Sequence, residues 1–158
     1  MKLVLGYGNP TRRDDGAGPA LAALVEAQAW PGVEARQAQQ LGPELAADFL
    51  EYERVVLVDA SQGGPEADLR PVGPPDARRA GASHSTAPEV LAALAASLHG
   101  RRPDLWVCTL RGEDFDFGPE MSPPMAARMR AGLALIRDCL GVPSCTKEAS
   151  PRRSSRPS

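Results

Sequence analysis

Aromatic residues make up only 4% of this 158-residue chain, and histidine and cysteine are scarcer still, at two and three residues. Cys108, Cys139 and Cys145 are odd in number and include no CxxC pair, so neither a disulfide framework nor a zinc ribbon is indicated, and reduced thiols are expected. Long apolar runs are missing as well. No stretch approaches the roughly 18 residues that a membrane-spanning helix requires. Met1-Lys2-Leu3-Val4-Leu5 passes straight into Gly6-Tyr7-Gly8, without the apolar core and cleavage site of a signal peptide. A cytoplasmic protein with no membrane contact is expected. Nor is there a large charge of either sign: the formal net charge is -2, with 24% charged and 42% hydrophobic residues. That balance argues against bulk disorder and against a protein that coats nucleic acid, and it points to a local site for any partner. One domain fits the length, since domains commonly run to about 100 to 150 residues.

Apolar periodicity divides the chain into alternating strands and helices. Lys2 to Gly6 reads as a short buried strand stopped by glycine. Ala17, Leu21, Leu24, Val25 and Gln28 then fall at helical spacing, so Gly18 to Ala29 predicts an amphipathic helix. Val33 and Ala35 alternate with Glu34 and Arg36 as in a half-exposed strand, and Gly42-Pro43 opens a helix carrying Leu45, Phe49 and Leu50. Arg54-Val55-Val56-Leu57-Val58-Asp59 is a strand for the centre of a sheet, because its apolar run is unbroken and largely β-branched. Ala67 to Val72 is a weaker strand that Pro71 confines to an edge or a bulge. Ser85 or Thr86 is expected to cap a helix with Pro88 in its first turn, an apolar face of Val90, Leu91, Leu94 and Leu98, and Gly100 as its stop. After a strand from Leu105 to Leu110, Ser122-Pro123 is expected to start a long helix striped by Met125, Met129, Leu133, Ile136 and Leu140 and ended by Gly141. The fold class that follows is α/β, a three-layer α/β/α sandwich with a mainly parallel twisted sheet of about five strands. Residues 1–142 form that single domain. Residues 143–158 read as a disordered basic Ser/Arg/Pro tail of charge +3, which leaves the body at -5.

Open α/β sheets bind ligands beyond the carboxyl ends of their strands, so polar residues placed there carry most weight. Three places qualify. The first strand runs into Gly6-Tyr7-Gly8-Asn9-Pro10-Thr11-Arg12-Arg13-Asp14-Asp15-Gly16-Ala17-Gly18. Its glycines resemble a phosphate cradle, yet the spacing is not GxGxxG and two aspartates at a helix start would repel phosphate. Asp14 and Asp15 could equally cap and charge the helix. Arg12 and Arg13 read as solvated loop charges or as anion contacts near the crevice. The second place is Asp59, directly after the central strand, and the third is Gly81-Ala82-Ser83-His84-Ser85-Thr86. A neutral His84 imidazole could complete an O,O,N ligand set with Asp15 and Asp59, which suits zinc or nickel better than magnesium or calcium. His99, beside Gly100 at a helix end, is assigned a structural role. With no GxSxG elbow and no cysteine at these strand ends, metal-assisted hydrolysis fits better than nucleophilic catalysis.

Several motifs occur together and in order between about residues 2 and 140. They are Gly6-Tyr7-Gly8-Asn9 with Asp14-Asp15-Gly16-Ala17-Gly18, Gly42-Pro43-Glu44-Leu45, Val56-Leu57-Val58-Asp59-Ala60, Ser83-His84, and Gly118-Pro119-Glu120-Met121-Ser122-Pro123. In these the chain resembles the hydrogenase maturation endopeptidases. That family removes a short C-terminal extension from the large subunit of nickel-iron hydrogenases after nickel insertion. The resemblance implies catalytic, metal-contacting roles for Asp15, Asp59 and His84, and nickel supplied by the substrate, with zinc or cadmium able to substitute in vitro. It implies a monomer whose partner is the nickel-loaded hydrogenase precursor, with no nucleic acid and no membrane involved. A peptidyl-tRNA hydrolase-like protein also opens with a strand and Gly-x-Gly-Asn-Pro. Here, however, Asp14-Asp15 stand in the neighbourhood where its histidine is expected, and a body charge of -5 suits tRNA poorly. A noncatalytic metal-sensing α/β binding module is the third reading.

Overall fold

A computed structural model describes residues 1–73 and 87–143 of the chain. Strand β1 (Lys2–Tyr7) leads through a 3-10 turn (Arg13–Gly16) into α1 (Ala17–Gln28), and β2 (Val33–Ala38) and the short α2 (Leu45–Phe49) follow. Next come β3 (Val55–Ser61), β4 (Ala67–Pro71), α3 (Pro88–His99), β5 (Leu105–Arg111) and α4 (Met125–Cys139). The five strands form one sheet in the order β2-β1-β3-β5-β4. Every pairing is parallel except β4 against β5. The Val56-Leu57-Val58 strand is thus central, as its unbroken apolar run requires, and the Pro71 strand lies at an edge where its missing N–H costs no ladder bond.

Strand alternation sorts the core into two layers. Leu3, Leu5, Tyr7, Val55, Leu57, Leu105 and Val107 project to one face and pack with Phe49 of α2 and Leu91, Ala92 and Ala95 of α3. On the other face, Val4, Val56, Val58, Cys108 and Leu110 meet Leu21 and Val25 of α1 and Met125, Met129 and Ile136 of α4. This is the three-layer α/β/α sandwich. Val142 still packs against the second layer, whereas the expected tail, residues 143–158, lies from 144 onward outside the described residues, Cys145 included. Cys108 and Cys139 are free thiols, and burial pushes the Cys108 thiol up to about 12. Among the described residues no helix is long and apolar enough to cross a membrane.

Three details differ from expectation. Helix α3 is capped by Ala87 with no side-chain hydrogen bond, and Pro88 follows it in the first turn; Ser85 and Thr86 lie outside the described residues. Its buried face is Leu91, Ala92 and Ala95 with Leu94 alongside, while Val90 is 49% and Leu98 66% exposed. Its contact face is therefore turned from the one that its larger residues mark out. Helix α4 begins at Met125 after Pro124, three residues beyond Ser122, whose hydroxyl is engaged elsewhere.

Candidate functional site

Register brings the site together at the carboxyl edge of the sheet. Gly6 of β1 pairs with Val58 of β3, so the next residues, Tyr7 and Asp59, lie side by side and point to the same face. The loop after β1 then curls back over this edge. Gly8 has φ 144 there, and an added Cβ would stand 2.0 Å from the Asp15 carbonyl oxygen. A Cβ on Gly6 would lie 2.0 Å from the Gly18 carbonyl oxygen, and one on Gly18 2.5 Å from that of Val58. The glycines that resembled a phosphate cradle therefore serve close helix-on-strand packing, and this packing carries Asp15 toward Asp59.

Asp59 is half-buried. Desolvation is the main cause that raises its pKa from 3.8 to about 6; the Asp15 charge adds to the rise, and hydrogen bonds from the Tyr7 hydroxyl and the Ala60 backbone oppose it. Tyr7 is 8% exposed, and burial first, then the adjacent Asp59 charge, raises the pKa of its phenol. Asp15 accepts a hydrogen bond from the Asn9 backbone N–H at 2.8 Å. Neither Asp15 nor Asp59 has a basic partner among the described residues, so the Asp15 charge acts on Asp59 without a counter-charge. An oxygen pair of this kind, half-sunk and self-repelling, suits a cation.

Of the three residues singled out from the sequence, the structure brings Asp15 and Asp59 together. His84 lies outside the described residues, and among those described no group of three or more His, Cys, Asp or Glu side chains is arranged to hold a metal. His99 closes α3, as expected for a helix-end imidazole. The capping role weighed for Asp14 and Asp15 does not occur. They sit in the 3-10 turn, and α1 is capped by Gly16 with no side-chain hydrogen bond. Arg13, with φ 42, pairs with Asp114 at 3.5 Å, and the Arg12 guanidinium stacks 4.3 Å from the centroid of the Phe117 ring.

Of two further residues that matter here, the sequence reading gave Asp14 only a possible capping role and did not single out Arg128. Asp14 is fully buried and receives hydrogen bonds from the Glu113, Asp114 and Ser122 backbone N–H groups and from the Ser122 hydroxyl. Burial alone would raise its pKa; these four donors outweigh it and hold the carboxyl below its usual 3.8. Arg128 is 5% exposed on α4 and reaches the Arg111 carbonyl oxygen at 2.6 Å and Glu113 at 2.8 Å. The only sequence signal for Asp14 was an acid next to Asp15, and Arg128 interrupted no apolar position of its stripe.

No protein-family model matches the chain, and no curated protein matches it in sequence. Solved structures do. A [NiFe] hydrogenase maturation protease, HycI, from Thermococcus kodakarensis superposes with a TM-score of 0.70 at 20% identity, covering 89% of this chain and 92% of its own. A hydrogenase 2 maturation peptidase from a Thaumarchaeota archaeon gives 0.68 at 24% identity, covering 90% and 99%. The hydrogenase maturating endopeptidase HybD from E. coli gives 0.64 at 19% identity, covering 89% and 92%. Over about nine-tenths of its length this chain has the fold of these hydrogenase maturation proteases.

Proposed function

We propose that the chain is a processing endopeptidase that removes the C-terminal extension of a [NiFe] hydrogenase large-subunit precursor once nickel is in place. The observation that carries this reading is the unpaired Asp15–Asp59 carboxylate couple at the carboxyl edge of a sheet with this fold. Nickel belongs to the substrate in this account. The two carboxylates, joined by His84, reach for the metal in the precursor, so that completed insertion is what brings the scissile segment into register for attack by water. The half-buried Asp59 is costly as an anion until a cation meets it, which favours engagement of a metal-loaded over an empty precursor. Zinc or cadmium occupies the same donors in vitro. The protein acts as a cytoplasmic monomer with no other cofactor.

The test is incubation with nickel-loaded precursor and detection of the released extension. Wild-type protein should release it, and Asp15→Asn, Asp59→Asn and His84→Ala should each lose at least about a hundredfold in rate, whereas His99→Ala should keep it. Intact precursor after incubation with folded wild-type protein would refute the peptidase and favour a noncatalytic metal-sensing module.

A further inference from the structure

We propose that Asp14 is a positioning residue that sets the separation between Asp15 and Asp59. The placement stands on geometry alone; its consequence for catalysis rests on the peptidase reading above. The Asp14 carboxylate takes no donor from its own turn or from α1. Its donors lie 99 to 108 residues further along the chain: Glu113 N–H at 2.7 Å, Asp114 N–H at 3.1 Å, Ser122 N–H at 2.8 Å and Ser122 Oγ at 2.6 Å. Four hydrogen bonds and complete burial keep the Asp14 carboxylate away from any ligand.

The segment that Asp14 grips is itself fastened to the other carboxylate's strand. Gly112, next to Glu113, donates its N–H to the Ser61 carbonyl oxygen at 2.8 Å, and Ser61 ends β3 two residues beyond Asp59. A short path therefore runs from Asp15 to Asp14, across one hydrogen bond to Glu113, along to Gly112, and across a second to Ser61 and Asp59. Gly112 is packed tightly on this path, since a Cβ there would stand 3.0 Å from that of Asp14. From the far side, Arg128 grips the Glu113 carboxylate and the Arg111 carbonyl oxygen. A second seam keeps the two loops parallel, with the Asp14 N–H on the Asp114 carbonyl oxygen and the Arg13 N–H on that of Gly118, both at 3.0 Å. Loosening Asp14 frees Asp15 relative to Asp59 while the sheet beneath remains intact.

The experiment compares wild type with Asp14→Ala and with the milder Ser122→Ala, which keeps the carboxylate and removes one donor. Amide hydrogen exchange, Ni2+ titration of the protein, and precursor cleavage are measured at a temperature where each variant is folded. In Asp14→Ala, protection should fall at least about tenfold at Gly112, Glu113, Ser122 and Asp15 and stay unchanged in β2 and α3. Ni2+ affinity and kcat should fall about tenfold, with KM rising as the precursor's nickel is held less tightly, and Ser122→Ala should move both in the same direction by less. Adding Asp14→Ala to Asp59→Asn should weaken Ni2+ binding less than twofold further. Uniform loss of protection across the sheet, or Ni2+ affinity and kcat equal to wild type in folded Asp14→Ala, would overturn the proposal. If wild type neither binds Ni2+ nor cleaves precursor while exchange changes locally as stated, the peptidase reading falls and the placement role of Asp14 stands.

Discussion

Asp59, half-buried, and Asp14, fully buried, lie near one edge of the sheet, and they respond to protons in opposite senses. The folded state raises Asp59 from 3.8 to about 6, so between these values it binds more protons than the unfolded chain. The stability that this group contributes is highest below about pH 4 and is lost as pH rises through about 6. Melting curves from pH 3 to 8 should therefore show Asp59→Asn gaining on wild type across that window and holding a constant advantage above it, while cleavage activity is lost. Asp14 is depressed below 3.8 by its four donors, so its contribution is present above 3.8 and disappears as pH falls through its folded value. Asp14→Ala leaves buried N–H groups unpaired and should cost about 1 to 3 kcal/mol at pH 7, and the gap to wild type should narrow in acid. Asp15 and Asp59 could be singled out from sequence because both stand directly beyond a strand or loop whose type local pattern reveals. Asp14 could not, since its donors are 99 or more residues away and no periodicity connects them. Tyr7 reads from sequence only as part of the loop after a strand that stops at Gly6, until the structure extends β1 to Tyr7 and register sets it beside Asp59.

At the scale of elements, close approach decides more than propensity. Alanine in place of glycine ordinarily favours a helix by roughly 0.5 to 1 kcal/mol. Gly18 of α1 reverses that sign, because a Cβ would fall 2.4 Å from the Tyr7 carbonyl oxygen and 2.5 Å from that of Val58. Gly18→Ala should push α1 off the sheet, destabilise by about 1 to 3 kcal/mol in denaturant melts, and lower activity by displacing Asp15. Helix α3 offers a paired comparison. Leu91→Ala should cost about 2 to 5 kcal/mol, whereas Leu98→Ala, at a position 66% exposed, should stay within about 0.5 kcal/mol. The helix itself was legible from Pro88 and Gly100, and Leu91 and Leu94 of its buried face were too, but Ala92 and Ala95 were not, because hydrophobicity alone ranks small residues low.

For the molecule as a whole, the two layers that close over both faces of the sheet are built from hydrophobic side chains. Removing metal with a chelator should leave the melting temperature unchanged within about a degree; cooperative unfolding on chelation would contradict this. The layered architecture and the central strand were legible because an unbroken run of β-branched residues has few other places to go, and Pro71 marked β4 as an edge. Pairing order was not, since it depends on which strands meet across intervening helices. That order also governs when the site exists during synthesis. The first three strands can assemble as β2-β1-β3 with Asp15 and Asp59 already in hand, yet Asp14 waits for donors as late as Ser122. A nascent chain that has not yet delivered β5 and the loop after it thus holds both acids in an unset geometry. On the positioning role proposed for Asp14, the spacing of the acidic couple is thus fixed only once the chain has been made as far as Ser122.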